Sequence, residues 1–233
     1  MSVRVAFDID GVLADMEGAL RRLAGVSARP ALESTQADHA TDEAPRELTA
    51  AERRHVWRSV RRTHNFWDTL DELEPGALVR LRALSRDRRW HVLFLTQRTK
   101  TAGDAPQLQT QRWLERHGFE YPSVLVVSGM RGKLASALAL DFVVDDVPDY
   151  CLDVKIESRA RSCLIWRHDH ATLPPAARRL GIEVFQSFNA CLDYLQAADT
   201  VVKTPRFMDT LRQRFGLKVR APLDLVEIKF NST

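Results

Sequence analysis

Hydrophobic positions in this chain form short continuous runs, and longer amphipathic stretches separate them. Six of the runs predict β-strands, at residues 3–10, 91–96, 124–128, 142–146, 162–167 and 182–185. Runs that are short and apolar throughout are typical of parallel strands buried on both faces. Helical spacing lies between them, at residues 107–117, 132–140 and 174–180. The alternation predicts an α/β fold with a Rossmann-like parallel sheet flanked by helices, in which the last two strands extend one edge.

Residues 14–75 interrupt this alternation, because a simple crossover between parallel strands needs only about 10–15 helical residues. They contain two helical stretches, at 16–24 and 48–62. We therefore predict a small helical cap inserted after the first strand. The α/β core then comprises residues 1–13 and 76–197.

Two further segments fall outside the alternation. Residues 33–47 are polar, with only Ala and Pro as apolar residues, and they connect the two cap helices. Residues 198–233 form a C-terminal extension of unknown role. In this extension an apolar stripe at helical spacing is expected to pack, and the strand-like sequence LVEIKF follows it. The stripe consists of Phe207, Met208, Leu211 and Phe215.

The composition limits the classes of protein to which the chain can belong. Of 233 residues, 45% are hydrophobic and 28% are charged, which excludes wholesale disorder. No apolar run approaches the ~18 residues of a membrane span, and residues 1–7 do not resemble a secretory leader. Three cysteines without metal-ligand spacing favour a reducing compartment, so we expect a cytoplasmic protein with no membrane partner. The net charge is +3 and is spread along the chain, which argues against nucleic acid; a homo-oligomer stays open.

The strongest chemical signal is the segment 7–15, in which carboxylates and a glycine close an apolar strand. The strand repeat of two places Asp8 and Asp10 on one side if the strand continues through them. Like charges that lie close raise each other's pKa and cost stability unless a cation compensates. Solvated turn residues are the alternative interpretation, but charged pairs rarely close a strand that is otherwise buried.

Complementary groups follow the ends of three further strands. Thr96 ends the second strand, and Lys133 follows the third at the start of a helix. Asp145 and Asp146 end the fourth. The carboxyl ends of parallel strands meet at one edge, which is where open α/β sheets bind ligands. Together with Asp8, this set predicts metal-assisted phosphoryl transfer with Mg²⁺ as the cofactor.

These residues resemble the four motifs of the haloacid dehalogenase superfamily of phosphotransferases. Within it the chain is most similar to the 5′(3′)-deoxyribonucleotidase family, in the phrases DIDGVLAD, NFWDTLDELEPGA and FVVDDVPD. The similarity covers about residues 3–150 and weakens beyond them. It implies a magnesium-dependent phosphomonoester hydrolase that acts through an aspartyl-phosphate. The substrate that it implies is a small phosphate monoester, in the first place a (deoxy)nucleoside 5′-monophosphate.

The resemblance also implies roles for individual residues. Asp8 is the nucleophile, and Asp10 protonates the leaving oxygen and then activates water. Thr96 and Lys133 hold phosphoryl oxygens. The implied ligands of Mg²⁺ are Asp8, the main-chain carbonyl of Asp10 and Asp146, with Asp145 in the outer shell.

Four residues are candidate substrate contacts. Gln97 and Arg98 stand where the family commonly has small residues. Arg98 could clamp a second anionic group of the substrate or pair with acidic residues of the cap. Phe66 and Trp67, at the return from the cap, could stack on a nucleobase or pack the hinge.

Two alternatives to a nucleotidase stay open. One is a phosphatase for another anionic monoester, such as a sugar phosphate or a nucleic-acid end. The other is a catalytically silent binding module. A silent module has no physical need for the complete set of carboxylates, hydroxyl and ammonium, so the sequence argues against it.

Overall fold

The structure, a computed structural model, describes residues 2–25 and 49–203, in which strands and helices alternate. The strands are β1 (Arg4–Asp8), β2 (His91–Thr96), β3 (Ser123–Val126), β4 (Phe142–Asp145), β5 (Arg161–Ile165) and β6 (Glu183–Phe185). The α-helices are α1 (Met16–Leu23), α2 (Ala50–Arg62), α3 (Ala77–Arg88), α4 (Pro106–Arg116), α5 (Arg131–Ala137), α6 (Pro148–Glu157), α7 (Pro175–Arg179) and α8 (Phe188–Lys203). Short 3₁₀ helices span Phe66–Thr69 and His170–Thr172.

The six strands pair in parallel in one sheet with the order β3-β2-β1-β4-β5-β6, which confirms the predicted α/β class. β1 lies between β2 and β4, and β5 and β6 extend one edge as predicted. Asp8 at the end of β1 lies opposite Leu95 of β2, and Phe7 lies opposite Val144 of β4. This register brings the last residues of the three central strands to the same edge of the sheet.

Side-chain packing fixes β1 on both faces. One buried cluster joins the strands to α5 and α6, and it includes Ala6, Leu95, Ala135, Val143 and Val154. On the other face Phe7 meets Phe188 of α8 edge-on, with the ring centroids 5.5 Å apart. A fully buried apolar side chain contributes roughly 1.5–3 kcal/mol, so the strand has little freedom to shift. Asp8, the next residue, is held in place with it.

Some elements differ from the sequence-based expectation. β1 ends at Asp8 rather than at residue 10, because the N–H groups of Leu13 and Ala14 both donate to the carbonyl of Ile9, at 2.9 and 2.8 Å. The helices α3, α6 and α8 are present in the structure but were not predicted from the sequence. In α3 and α6 the apolar residues are spread around the helix rather than along one stripe, so periodicity does not reveal these two helices.

The chain divides into two compact units, residues 1–196 and 197–233. The helices α1 and α2 of the predicted cap belong to the first unit, as the sheet does. Asp15 caps α1 by accepting the N–H of Gly18 at 2.8 Å, and Thr49 with Glu52 forms a capping box at the start of α2. Such caps each contribute about 1 kcal/mol, so both helices have well-defined starts.

The predicted start of the C-terminal extension at residue 198 falls inside α8, which continues to Lys203. The predicted connector at 33–47 lies outside the described residues, as do the stripe of residues 207–215 and the strand-like end. Among the helices that are described, none combines the length and the apolar character needed to cross a bilayer.

Candidate active site

Three carboxylates converge where the central strands end. Asp8 is the last residue of β1, Asp145 is the last residue of β4, and Asp146 follows it. Each offers one carboxylate oxygen to a group in which all the oxygens lie within 4.8 Å of one another. The structure therefore brings together the first and fourth of the segments that the sequence analysis singled out.

A tight loop after β1 completes this arrangement. Gly11 has a φ of +86°, a conformation that L side chains rarely adopt. A Cβ atom at this position would lie 2.0 Å from Oδ2 of Asp146. Glycine is therefore required at position 11 for two reasons: the turn needs a positive φ, and the Asp146 carboxylate occupies the space that a side chain would fill.

Arg131 is the cation in contact with this cluster. The side chain is 1% exposed; its Nη2 donates to Oδ1 of Asp8, and its Nε donates to Oδ2 of Asp145 at 3.2 Å. Its Nη1 is buried and has no hydrogen-bond partner among the described residues. A buried donor without a partner is costly, so this atom points to an acceptor that a ligand would supply.

Lys133, the predicted phosphate ligand, lies on the same helix but is exposed. Two residues correspond to about 200° of rotation around an α-helix, so Arg131 and Lys133 lie on nearly opposite faces of α5. The sequence RGK contains both cations, and periodicity alone does not show which one faces the sheet. The role predicted for Lys133 stays a prediction, whereas the contact with the carboxylates belongs to Arg131.

Asp10 lies beside this cluster and binds a different cation. Its carboxylate accepts from Nε of Arg98 at 3.1 Å and from Nη2 at 2.8 Å. The hydroxyl of Thr96 donates to Oδ2 of Asp10 at 3.3 Å. Thr96 and Arg98 thus meet the acid that was predicted to transfer protons. Arg98 pairs with Asp10 in this structure rather than with an acidic residue of the cap.

The charges of the site are not balanced by the protein. Asp8, Asp10, Asp145 and Asp146 carry four negative charges when ionised, whereas Arg98 and Arg131 supply two positive ones. Burial raises the pKa of Asp8 well above its ordinary value of 3.8, and the charge of Asp145 raises it further. Burial, and then Asp145, raise the pKa of Asp146 to about 7. Burial likewise raises the pKa of Asp145, although Arg131 opposes the effect.

A divalent cation fits this donor set. Carboxylate oxygens are hard ligands of the kind that Mg²⁺ prefers, and one such ion would neutralise the two excess negative charges. Burial and the neighbouring Asp145 raise the pKa of Asp8 and of Asp146, and a bound divalent cation would oppose both shifts. Both oxygens of Asp145 already accept protein hydrogen bonds, from Val147 N–H at 2.9 Å and from Arg131.

The other three candidate substrate contacts differ in exposure, since Gln97 is at the surface and Phe66 and Trp67 are buried. Gln97 is exposed and accepts a hydrogen bond from the hydroxyl of Tyr150 at 2.8 Å. Phe66 and Trp67 are 3% and 1% exposed, with ring centroids 5.0 Å apart. Their predicted stacking on a nucleobase stays a prediction, and it would need these side chains to leave the interior.

The sequence analysis did not identify a second pair that holds the loop after β1. Arg167 donates to the carbonyl of Gly11 at 2.6 Å and to Oε1 of Glu74 at 2.7 Å. Glu74 in turn accepts the N–H groups of Phe188 and Asn189 at the start of α8, at 2.6 and 3.0 Å. Burial raises the pKa of Glu74, but the hydrogen bonds from Phe188 and Arg167 outweigh it, so this carboxylate stays ionised. No local pattern marks these residues, because their sequence separation exceeds 90 positions.

Two solved structures resemble this chain at low sequence identity. No family model matches it, and no curated protein matches it. Among solved structures it is similar to a provisionally named beta-phosphoglucomutase from Thermotoga maritima, with 20% identity and a TM-score of 0.49 over 84% of this chain and 99% of the other. It is also similar to a haloacid dehalogenase-like family hydrolase from Streptococcus pneumoniae, with 12% identity and a TM-score of 0.46 over 83% and 98% of the two chains. Both TM-scores are below 0.5, so the chemistry of the site has to be derived from this chain's own residues.

Proposed function

We propose that the protein is a magnesium-dependent phosphomonoester hydrolase of the haloacid dehalogenase superfamily, with Asp8 as its nucleophile. One observation carries the proposal: two buried carboxylates, Asp8 and Asp145, and the half-buried carboxylate of Asp146 meet at the end of the central strands, beside a buried guanidinium that has an unused donor. An anionic group is the natural acceptor for that donor, and a phosphate is an anion that also requires charge neutralisation.

The proposed reaction is in-line attack of the Asp8 carboxylate on phosphorus. The phosphorus–ester bond breaks, an aspartyl-phosphate forms, and Asp10 gives its proton to the leaving oxygen. Asp10 then takes a proton from a water molecule, and the oxygen of that water attacks the aspartyl-phosphate. This attack releases inorganic phosphate and regenerates Asp8. Mg²⁺, held by Asp8, Asp146 and the Asp10 carbonyl, would supply positive charge next to the phosphoryl oxygens, and Asp145 would act from the outer shell.

Arg131 takes the contact that the family resemblance implied for Lys133. Its guanidinium is already against the Asp8 carboxylate, and Nη1 has no hydrogen-bond partner among the described residues; a phosphoryl oxygen would reach this buried atom only if the side chains around it moved. Thr96 has its hydroxyl at the end of β2, one position after the residue that lies opposite Asp8, and this hydroxyl would have to leave Oδ2 of Asp10 in order to donate to a phosphoryl oxygen. Removing a donor of this kind from a transition state typically costs 10²–10³-fold in rate.

A (deoxy)nucleoside 5′-monophosphate is the substrate that we propose first. Its support is the sequence resemblance over residues 3–150, including the cap. The expected setting is cytoplasmic, as the three buried cysteines without a disulfide suggest.

An exposed row of arginines on α2 favours a second candidate substrate, a phosphorylated nucleic-acid end. The exposed residues are Arg53, Arg54, Arg58, Arg61 and Arg62. Positions four apart in a helix share one face, and phosphates of a strand lying along that face would neutralise these charges. The end of α2 also contacts the loop after Arg98, since the carbonyl of Arg61 accepts the N–H of Ala102 at 2.8 Å.

Phosphate release with Mg²⁺ tests the proposal on a panel of nucleoside monophosphates, ribose 5-phosphate and oligonucleotides phosphorylated at either end. We expect turnover of at least one class, with a loss of more than about 10³-fold in Asp8→Asn. The matched control is Asp149→Asn, which removes an exposed carboxylate from the first turn of α6. Turnover by Asp8→Asn at the rate of the control would overturn the mechanism, and a faster reaction on oligonucleotides than on mononucleotides would select the second candidate.

A further inference from the structure

Arg98 is a fully buried cation whose side chain is 0% exposed. Each of its three nitrogens has a protein acceptor. Nε and Nη2 both donate to the carboxylate of Asp10, and Nη1 donates to Oγ1 of Thr110 in α4 at 2.9 Å. No part of this guanidinium is exposed to a substrate. In this structure Arg98 therefore cannot bind a second anionic group of the substrate, which was one of its two predicted roles.

The guanidinium of Arg98 makes cation–π contacts with the rings of Trp67 and Trp113. The Arg98 carbon Cζ lies 5.1 Å from the ring centroid of Trp67 and 5.9 Å from that of Trp113. Both indole N–H groups are fixed by backbone carbonyls, of Thr99 at 2.8 Å and of Leu70 at 2.7 Å. A cation between fixed aromatic rings and a hydroxyl has very few alternative orientations.

The cost of burying this charge shows that the arrangement is specific. A buried cation is tolerated only when it is paired and hydrogen-bonded, and Asp10 is the carboxylate that pairs with Arg98. Asp10 itself is only 12% exposed, so its side chain is confined by the same contact. The planar guanidinium accepts only orientations of the carboxylate that face its Nε and Nη2 edge.

We propose that Arg98 is the positioning residue for Asp10, holding the carboxylate in the orientation from which it transfers protons. The hydroxyl of Thr96 donates to Oδ2 of Asp10, and this contact has to open before Oδ2 carries the proton that is transferred. This inference rests on the proposed phosphatase function and adds one statement to it. Trp67, from the segment by which the chain returns from the cap, helps to fix the acid through Arg98.

The chemical consequence depends on the leaving group. An alcohol leaves poorly without a proton, so hydrolysis of an alkyl phosphate needs a correctly oriented Asp10. A dinitrophenolate leaves without one, so 2,4-dinitrophenyl phosphate should react at a rate that is nearly independent of Asp10. General acid catalysis is worth 10²–10⁴-fold, which sets the scale of the difference.

The experiment compares Arg98→Met and Arg98→Lys with the wild type in the first turnover, with Mg²⁺ present. Product release is followed for an alkyl phosphate by rapid quench and for 2,4-dinitrophenyl phosphate by absorbance. We expect Arg98→Met to lose about 10²–10³-fold on the alkyl phosphate and less than about threefold on the dinitrophenyl ester. Arg98→Lys keeps the charge without the planar fork and should fall between Met and wild type. The matched control is Arg86→Met, from an exposed ion pair with Glu120, which should change neither rate.

The possible results separate the claims. If the wild type turns over both esters and Arg98→Met loses the same factor on each, Arg98 has only a structural role and the inference is wrong. The same conclusion follows if neither rate changes. If the wild type hydrolyses neither ester, the proposed function fails and the inference falls with it. Should Arg98→Met not fold, Thr110→Val removes the acceptor of Nη1 together with one hydrogen bond within α4, to the carbonyl of Pro106, and a loss of about 3–10-fold confined to the alkyl phosphate supports the positioning role. If Thr110→Val and Arg98→Lys each lose the same factor relative to the wild type on both esters, the positioning role is wrong. It is also wrong if neither variant loses rate on either ester.

Discussion

Replacing Asp146 by Asn should stabilise the metal-free protein and abolish the stabilisation that Mg²⁺ provides. Burial and the charge of Asp145 raise the pKa of Asp146 from 3.8 to about 7. A carboxyl group with a raised pKa in the folded state favours folding in its protonated form. Its contribution is complete below about pH 4 and is lost as the pH rises to about 7, so at pH 8 the ionised Asp146 opposes folding.

The magnitude follows from the size of the shift. A rise from 3.8 to about 7 is a shift of about 3 pKa units, and each unit corresponds to about 1.36 kcal/mol. The ceiling is therefore about 4 kcal/mol at pH 8, and relaxation around the charge lowers the expected gain to about 1–3 kcal/mol. In the wild type, Mg²⁺ should recover stability by binding the native state, by about 2.7 kcal/mol at a hundredfold excess over its Kd.

Urea unfolding in EDTA and in Mg²⁺, at pH 5 and pH 8, measures these quantities. Asp149→Asn, the exposed neighbour on α6, is the control and should follow the wild type in all four conditions. In EDTA at pH 8, Asp146→Asn should be the most stable of the three proteins, and Mg²⁺ should leave it unchanged. The reasoning is refuted if Asp146→Asn is less stable than the control under those conditions, or if it keeps the full response to Mg²⁺.

Three further predictions concern the same edge of the sheet. Gly11→Ala should lower the free energy of unfolding by more than the roughly 1–2 kcal/mol that a positive φ costs, because its Cβ would displace Asp146; for the same reason it should weaken Mg²⁺-dependent phosphate release. Gly181→Ala is the control, since Gly181 has a φ of +65° and open space around it, so the same urea assay measures the backbone cost alone. Arg131→Met should lower the rate of phosphate release by about 10²–10³-fold, whereas Lys133→Ala should stay within about threefold of the wild-type rate. Equal losses in the two variants would show that Lys133 also binds the phosphate. Mg²⁺ affinity, measured by calorimetry, should rise as the pH rises from 5 to 8, since the ion displaces protons from Asp146, whose pKa is about 7, and from Asp8, whose pKa is raised well above 3.8. An affinity independent of pH over this range would contradict this linkage.

The acidic part of the site could be predicted because backbone register determines it. Asp8, Asp145 and Asp146 follow strands that the hydrophobic runs identify, and parallel strands bring their carboxyl ends together whatever the side chains do afterwards. Thr96 lies at this edge for the same reason, as the last residue of β2. Strand positions therefore carry most of what the sequence predicts about the metal and phosphate chemistry.

The cationic part of the site depends on tertiary packing and could not be predicted in the same way. Arg131 rather than Lys133 faces the carboxylates because α5 begins at Arg131, a boundary that periodicity locates only to within a residue or two. Arg98 turns inward because Trp67 and Trp113 enclose it, and one of them comes from the segment that returns from the cap. Such long-range enclosure leaves no local signal in the sequence.

The most direct test of the account is to look for a phosphoryl group on Asp8. The protein is mixed with Mg²⁺ and a substrate that it turns over and is quenched in acid within one turnover. It is then digested with pepsin in acid, where an acyl phosphate survives, and the peptide that contains Asp8 is examined by mass spectrometry. The account predicts that this peptide gains the mass of one phosphoryl group, that fragmentation locates it at Asp8, and that Asp8→Asn shows none. Continued phosphate release by Asp8→Asn, or single-turnover release by the wild type with this peptide unmodified at every quench time, would contradict it.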